Sequence, residues 1–193
     1  DALTHAMEAY VSKKANAYSD TQAIEAMRLI GPNLRRVYHN GNDFEAREKM
    51  MLGATLAGIA FSNASVALVH GMSRPIGAIY HVPHGLSNAM LLPAVTEYSI
   101  PAAKKRYADC ARAIGVSMSG DTDDVANKKL LSELIAINKE LNVPSPSEFG
   151  IDKTDFMQNL EVMAEQAIAS GSPGNNPRVP ESKEIMEIYK LLW

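Results

Sequence analysis

Residues Val66 to Pro93 read VALVHGMSRPIGAIYHVPHGLSNAMLLP, and the interpretation of the chain turns on them. Three of the five histidines, His70, His81 and His84, stand here among Gly, Pro and apolar residues with little charge. So little charge suits a buried polar site better than a solvated loop. A neutral imidazole nitrogen is a ligand for divalent metals, and two of them across a Gly/Pro-bearing turn can converge on one ion. The pattern places His70 at the end of one helix and His84 at the start of the next. Hydrogen-bonded core histidines would give the same pattern, so the segment needs support from elsewhere.

That support comes from the first residues, DALTHAMEAY. On a helix, Asp1 and His5 lie at i and i+4 on one face, where a carboxylate and an imidazole can chelate a metal or simply pair on a surface. A second such group in one small chain, again in Ala/Met/Leu/Gly surroundings, favours the metal.

The remaining pattern is helical throughout. Leu3, Ala6, Met7 and Tyr10 form the apolar stripe of a first helix, to about residue 13. Ser19 and Gln22 fit a capping box for a second helix carrying Ile24, Met27, Ile30, Leu34 and Val37, which Gly31-Pro32 should kink or interrupt. His39 to Asn42 form a turn with His39 facing solvent. A third helix starts near Asn42 or Asp43 with Glu45 as box partner. It runs into the mid-sixties, and its apolar character predicts a place in the centre of the molecule. Helices follow from Gly85 to about Tyr98 and from Pro101 to Gly115. The next begins after an Asp121 or Thr122 cap and ends near Leu141, with Leu130, Leu134 and Ile137 on one face. NVPSPSEFG is a connector. Phe156, Leu160, Met163 and Ala167 mark another helix, and Pro180 opens the last, with Ile185, Ile188 and Leu191. No period-2 strand and no internal repeat occur. The predicted fold is an all-α multi-helix bundle.

Composition bounds the function classes. The 193 residues carry a formal net charge of −3 with no strongly basic stretch, which argues against nucleic acid as the partner. Hydrophobic content of 46% without a run near the length of a membrane span predicts a cytoplasmic globular protein. The single cysteine, Cys110, excludes an intrachain disulfide and any Cys-based metal site, and its helical spacing from Ala111 and Ile114 reads as core. Neither G-x-G-x-x-G nor a P-loop is present, and Gly171 and Gly174 follow a helix, the wrong context for phosphate.

Three blocks carry a family resemblance: DALTHAMEAYVS, GNDFEAREKMMLGATLAGIAFSNAS (Gly41 to Ser65) and HGMSRPIGAIYHVPHGLSNAMLLP. Together with NNPR at Asn175 to Arg178 they resemble the iron-containing (group III) alcohol dehydrogenases over essentially the whole chain. The resemblance implies a dehydroquinate synthase-like carboxy-terminal domain, with residues 1–193 as one helical metal-binding catalytic domain. It implies Asp1, His5, His70 and His84 as ligands of Fe²⁺, with Zn²⁺ as the alternative, and His81 outside the set. By family position Phe61 and Arg74 line the substrate pocket, although Phe61 reads equally as plain core. The implied reaction is NAD(P)-dependent interconversion of alcohols with aldehydes or ketones. The amino-terminal nucleotide-binding domain of the family is absent from this chain, so the isolated chain is expected to be inactive. The apolar surface left by that domain leaves room for self-association into a homo-oligomer.

One departure stands out. The family pattern H-G-M-A-H-P-L-G has a histidine where this chain has Arg74. Arginine cannot act as a general base, but it can bind a carboxylate or phosphate, or pair with an acidic side chain. Two other readings fit the same residues: a zinc-dependent polyol dehydrogenase of the glycerol type, and a helical metal-binding domain without catalysis. A metallohydrolase would need an acidic base near His84, and none is well placed.

Overall fold

A computed structural model describes all 193 residues. Its regular elements are all helices: α1 (Ala2–Val11), α2 (Ala17–His39), α3 (Phe44–Ala64), α4 (Leu68–Tyr80), α5 (His84–Ser99), α6 (Lys104–Ala113), α7 (Asp123–Glu140), α8 (Pro146–Phe149), α9 (Lys153–Gln158), α10 (Leu160–Ala169) and α11 (Ser182–Lys190). Single 3-10 turns occupy Ile100–Ala102 and Ser172–Asn175. The all-α bundle expected from the pattern is the one observed. No single helix is long and apolar enough to cross a membrane. One continuous apolar core reaches from Leu3 in α1 to Tyr189 in α11.

Local chemistry sets the helix ends, in places other than the sequence pattern suggested. The capping box of α2 is Asn16 with Ser19, not Ser19 with Gln22, because Asn16 accepts from the backbone N–H groups of Tyr18 and Ser19. Pro32 lies inside α2, which the Gly31-Pro32 pair does not interrupt. Asp43 caps α3 by accepting from Ala46, while Glu45 pairs with Lys49 and Arg36 rather than closing a box. Thr122 caps α7 as expected. Pro101 sits in a 3-10 turn ahead of α6, and the Pro/Ser connector folds into the single turn of α8, boxed by Ser145 and Glu148.

Prolines inside helices leave carbonyls to satisfy. Pro93 in α5 has no N–H to give to the carbonyl of Ala89, four residues back. The side-chain amide of Asn138 in α7 donates to that carbonyl instead, at 2.6 Å. A helix fault thereby becomes a contact between two helices.

The expectation for α3 is overturned in one respect: it does not lie at the centre. Its buried line is Ala46, Gly53, Ala57, Ala60 and Ala64, small residues that let α3 press close to its neighbours. A Cβ on Gly53 would lie 2.8 Å from the Ile30 side chain of α2. Close packing through small residues turns the large ones outward, so Phe44, Met51 and Leu52 are 76%, 71% and 50% exposed.

Gly31 shows the same logic between α2 and the end of α6. A Cβ there would come within 2.6 Å of the Ile114 carbonyl oxygen and 2.8 Å of its Cα, both backbone atoms. Gly31→Ala should therefore destabilise the fold by about 1–3 kcal/mol through overpacking. An unchanged urea midpoint would show that the two helices separate freely.

The break between α3 and α4 positions the site. Ser65 takes φ 65°, and the two helix axes meet at 103°. Asn175 holds the break by donating to Ser65 Oγ and the Val66 carbonyl, both at 3.0 Å. Past it, Leu68, Met72 and Ile76 are fully buried at helical spacing. Each is worth about 1.5–3 kcal/mol of apolar burial, which fixes the rotation of α4. Gly71 then lies against Pro173, whose ring would be 2.7 Å from an added Cβ.

Candidate metal centre

Asp1 precedes the first turn of α1, and His5 stands one turn further on, its N–H donating to the Asp1 carbonyl at 2.9 Å. His70 is the third residue of α4, so it opens a helix rather than ending one, contrary to the sequence-based expectation. The cause is the break at Ser65, which a run of small and apolar residues did not announce. His84 is the first residue of α5, as expected. Gly85 beside it allows α5 to approach α1, since a Cβ there would lie 3.3 Å from Asp1 Cβ.

Three helices thus bring Asp1, His5, His70 and His84 to one place, with one donor atom from each within 4.8 Å of the others. Asp1 Oδ2 lies 3.6 Å from His5 Nδ1. Its Oδ1 lies 3.6 Å from His70 Nε2 and 3.8 Å from His84 Nε2. Ligands held about 2.1 Å from one ion are separated by about 3–4 Å, so these spacings suit a single coordination sphere. Burial and then the neighbouring His70 push the His5 pKa down to about 4, and the same two causes lower that of His84. Both rings are neutral near pH 7, the form that offers a lone pair.

Two residues that the sequence reading passed over complete the centre. Glu8, on α1, is 3% exposed. Its carboxylate accepts from the backbone N–H groups of Ala67 and Val69 at 3.0 and 2.6 Å, and lies 2.6 Å from His70 Nδ1. A carboxylate receiving two N–H donors is an acceptor, so Nδ1 carries the imidazole proton and Nε2 presents its lone pair to Asp1 and His84. The signal in the sequence was an acid three residues after His5 in an otherwise apolar stretch.

Asn88, one turn after His84, is the other. Its amide nitrogen lies 2.7 Å from Asp1 Oδ1, 3.2 Å from His70 Nε2 and 3.1 Å from His84 Nε2. One neutral donor with two hydrogens cannot satisfy three converging acceptors, whereas a cation can. The Asn88 carbonyl oxygen is buried without a hydrogen-bond partner. An orphaned oxygen beside an N3O donor set fits a divalent ion of the iron or zinc type.

Around this group, Phe61 stacks on the His5 ring with centroids 4.3 Å apart, and His70 flanks its neighbour at 4.4 Å. Arg74, one turn after His70, is exposed and donates from Nη1 to Ser172 Oγ at 3.1 Å. His81 adopts φ 56° at the end of α4 and stays outside the group. His39 pairs with Glu140 on the surface.

Comparison with known proteins agrees with the geometry. The Fe-containing alcohol dehydrogenase family, C-terminal, matches residues 1–193. The 1,3-propanediol dehydrogenase of Citrobacter freundii is 39% identical over 191 residues, covering 98% of this chain and 48% of the relative. Lactaldehyde reductase of Escherichia coli (strain K12) is 36% identical over 194 residues, 100% of this chain and 49% of the relative. The structure of an alcohol dehydrogenase from Oenococcus oeni superposes with a TM-score of 0.92 at 33% identity, covering all of this chain and 50% of that one. The chain spans about half the length of the curated relatives it matches. With a family match from first residue to last and Asp1, His5, His70 and His84 gathered where they could hold a metal ion, this chain belongs to the Fe-containing alcohol dehydrogenase family, as its C-terminal part.

Proposed function

We propose that residues 1–193 form the metal-binding domain of an NAD(P)-dependent alcohol dehydrogenase that interconverts alcohols with aldehydes or ketones. The observation that carries this reading is the convergence of Asp1, His5, His70 and His84 from three helices. A divalent ion held there, Fe²⁺ with Zn²⁺ as the alternative, supplies Lewis acidity toward a substrate oxygen. The chain's own groups do the rest of the positioning. Glu8 holds His70 in the ligating tautomer, and Phe61 walls one side of His5. The Arg74 guanidinium offers N–H donors and no acceptor, so it takes no part as a base. Relatives named for 1,3-propanediol and lactaldehyde support a short alcohol or aldehyde as substrate.

The hydride carrier needs a site that an all-helical chain without a βαβ unit does not offer. An additional domain bearing that site accounts for relatives about twice as long. The exposed Phe44, Met51 and Leu52 on α3, the helix that also carries Phe61, are apolar surface of the kind a second domain covers.

The test is an NAD(P)H absorbance assay on metal-loaded full-length protein and on residues 1–193 alone. Full-length protein should reduce short aldehydes, lose that activity to a chelator and regain it with Fe²⁺ or Zn²⁺, while the isolated chain stays inactive. Chelator-resistant turnover, or turnover by residues 1–193 alone, would overturn the reading.

A further inference from the structure

Arg74 stands on the same helix as His70. It follows His70 by one turn of α4, so both side chains leave the helix on the same face, opposite the buried line of Leu68, Met72 and Ile76. Its guanidinium has one hydrogen bond, from Nη1 to Ser172 Oγ. Ser172 is 5% exposed and belongs to the 3-10 turn whose Pro173 packs on Gly71, so the anchor is rigid. No carboxylate lies within ion-pair distance of Arg74, as of Arg47, which donates to the Gly41 carbonyl, whereas Arg35, Arg36, Arg106, Arg112 and Arg178 have acidic partners. The edge formed by Nε and Nη2 therefore has no partner. That edge is the side-on fork that receives both oxygens of an oxyanion.

We propose that the substrate carries an oxyanion at the end remote from its reacting carbon, and that the free Nε–Nη2 edge of Arg74 binds it. Arg74 is thus a specificity residue that selects a short aldehyde acid, or the corresponding hydroxy acid, over a neutral chain of the same length. The proposal rests on the dehydrogenase reading of the same site and narrows its substrate class. No carboxylate of residues 1–193 is placed to make Arg74 half of a structural ion pair.

Two probes of equal carbon count separate the cases: 4-oxobutanoate and butanal, each reduced by the full-length metal-loaded enzyme with NAD(P)H. The quantity read is the ratio of their kcat/KM values. The wild-type ratio should favour 4-oxobutanoate and fall about 10- to 100-fold in Arg74→Gln, the usual worth of a hydrogen bond to a charged group. Arg74→Lys should retain part of the preference, because an ammonium keeps the charge but loses the fork. A calorimetric titration with succinate supplies a reading independent of turnover, with binding to the wild type that is lost in Arg74→Gln. A wild-type preference for butanal, a ratio unmoved in Arg74→Gln, or succinate bound equally by both proteins would each overturn the proposal. Absence of NAD(P)H oxidation with either aldehyde would refute the dehydrogenase reading instead, and the succinate titration would still judge the Arg74 edge.

Discussion

Glu8→Ala is expected to lower stability by about 3–5 kcal/mol, a large part of what a domain possesses. One buried carboxylate serves three donors here: two backbone N–H groups at the start of α4 and the Nδ1 proton of His70. Truncation leaves all three buried without partners, and each orphaned donor costs about 1–3 kcal/mol. For a chain of this size, the thermal midpoint should fall by about 6–20 °C. Glu8→Gln separates the structural role from the ligand role. With its amide oxygen kept toward the Val69 N–H, where Oε1 now accepts at 2.6 Å, its amide nitrogen takes the place of Oε2 and donates to His70 Nδ1 instead of accepting. The imidazole proton then moves to Nε2, the atom that faces Asp1 at 3.6 Å. Glu8→Gln should thus melt closer to the wild type than Glu8→Ala, yet bind Zn²⁺ or Fe²⁺ about 10- to 100-fold more weakly. Calorimetric metal titration and thermal unfolding of both variants decide the matter. Wild-type metal affinity in Glu8→Gln would show that the tautomer of His70 is not controlled from α1.

The case of Glu8 also shows what could be read from the sequence and what could not. Helical periodicity pointed to the all-α architecture because period 3.6 recurs in apolar stripes at both ends of the chain, Leu3, Ala6 and Met7 in α1 and Ile185 and Ile188 in α11. The family resemblance pointed to Asp1, His5, His70 and His84, and the fold brings those four together. Two kinds of feature stayed hidden. One was the outward face of α3, since composition says that Met51 and Leu52 are apolar but not that alanines and glycine fill the buried line. The other was the pair of residues that serve the cluster from 59 to 87 positions away in sequence, Glu8 toward Ala67 and Asn88 toward Asp1. Contacts at that separation are made by packing, and no local spacing records them. The positive-φ break at Ser65, which makes His70 open α4 rather than end α3, belongs to the same class, because Asn175 holds it from 110 residues away.

His84→Ala should remove a ligand while leaving the metal-free fold almost intact. The His84 side chain is 52% exposed, and the one hydrogen bond at its Nε2 is with the amide of Asn88. Substitutions at such positions change stability by about 0.5 kcal/mol or less. Metal binding is another matter. Four-ligand zinc sites bind with about 10–16 kcal/mol, so one ligand is worth about 3 kcal/mol, or roughly 100-fold in affinity. The consequence is legible in unfolding. At a metal concentration 1,000 times the wild-type dissociation constant, binding adds about 4 kcal/mol to the native state. A 100-fold weaker variant gains only about 1.4 kcal/mol at the same concentration. The metal-induced rise in thermal midpoint should therefore be smaller in His84→Ala by about 5–10 °C. His81→Asn is the matched control, because His81 lies three residues away, is exposed and sits outside the cluster, and asparagine tolerates its left-handed backbone. It should keep the full metal-induced rise. The same rise in His84→Ala as in wild type, or its loss in His81→Asn, would remove His84 from the ligand set and leave His81, across Pro83, as the imidazole that reaches the ion.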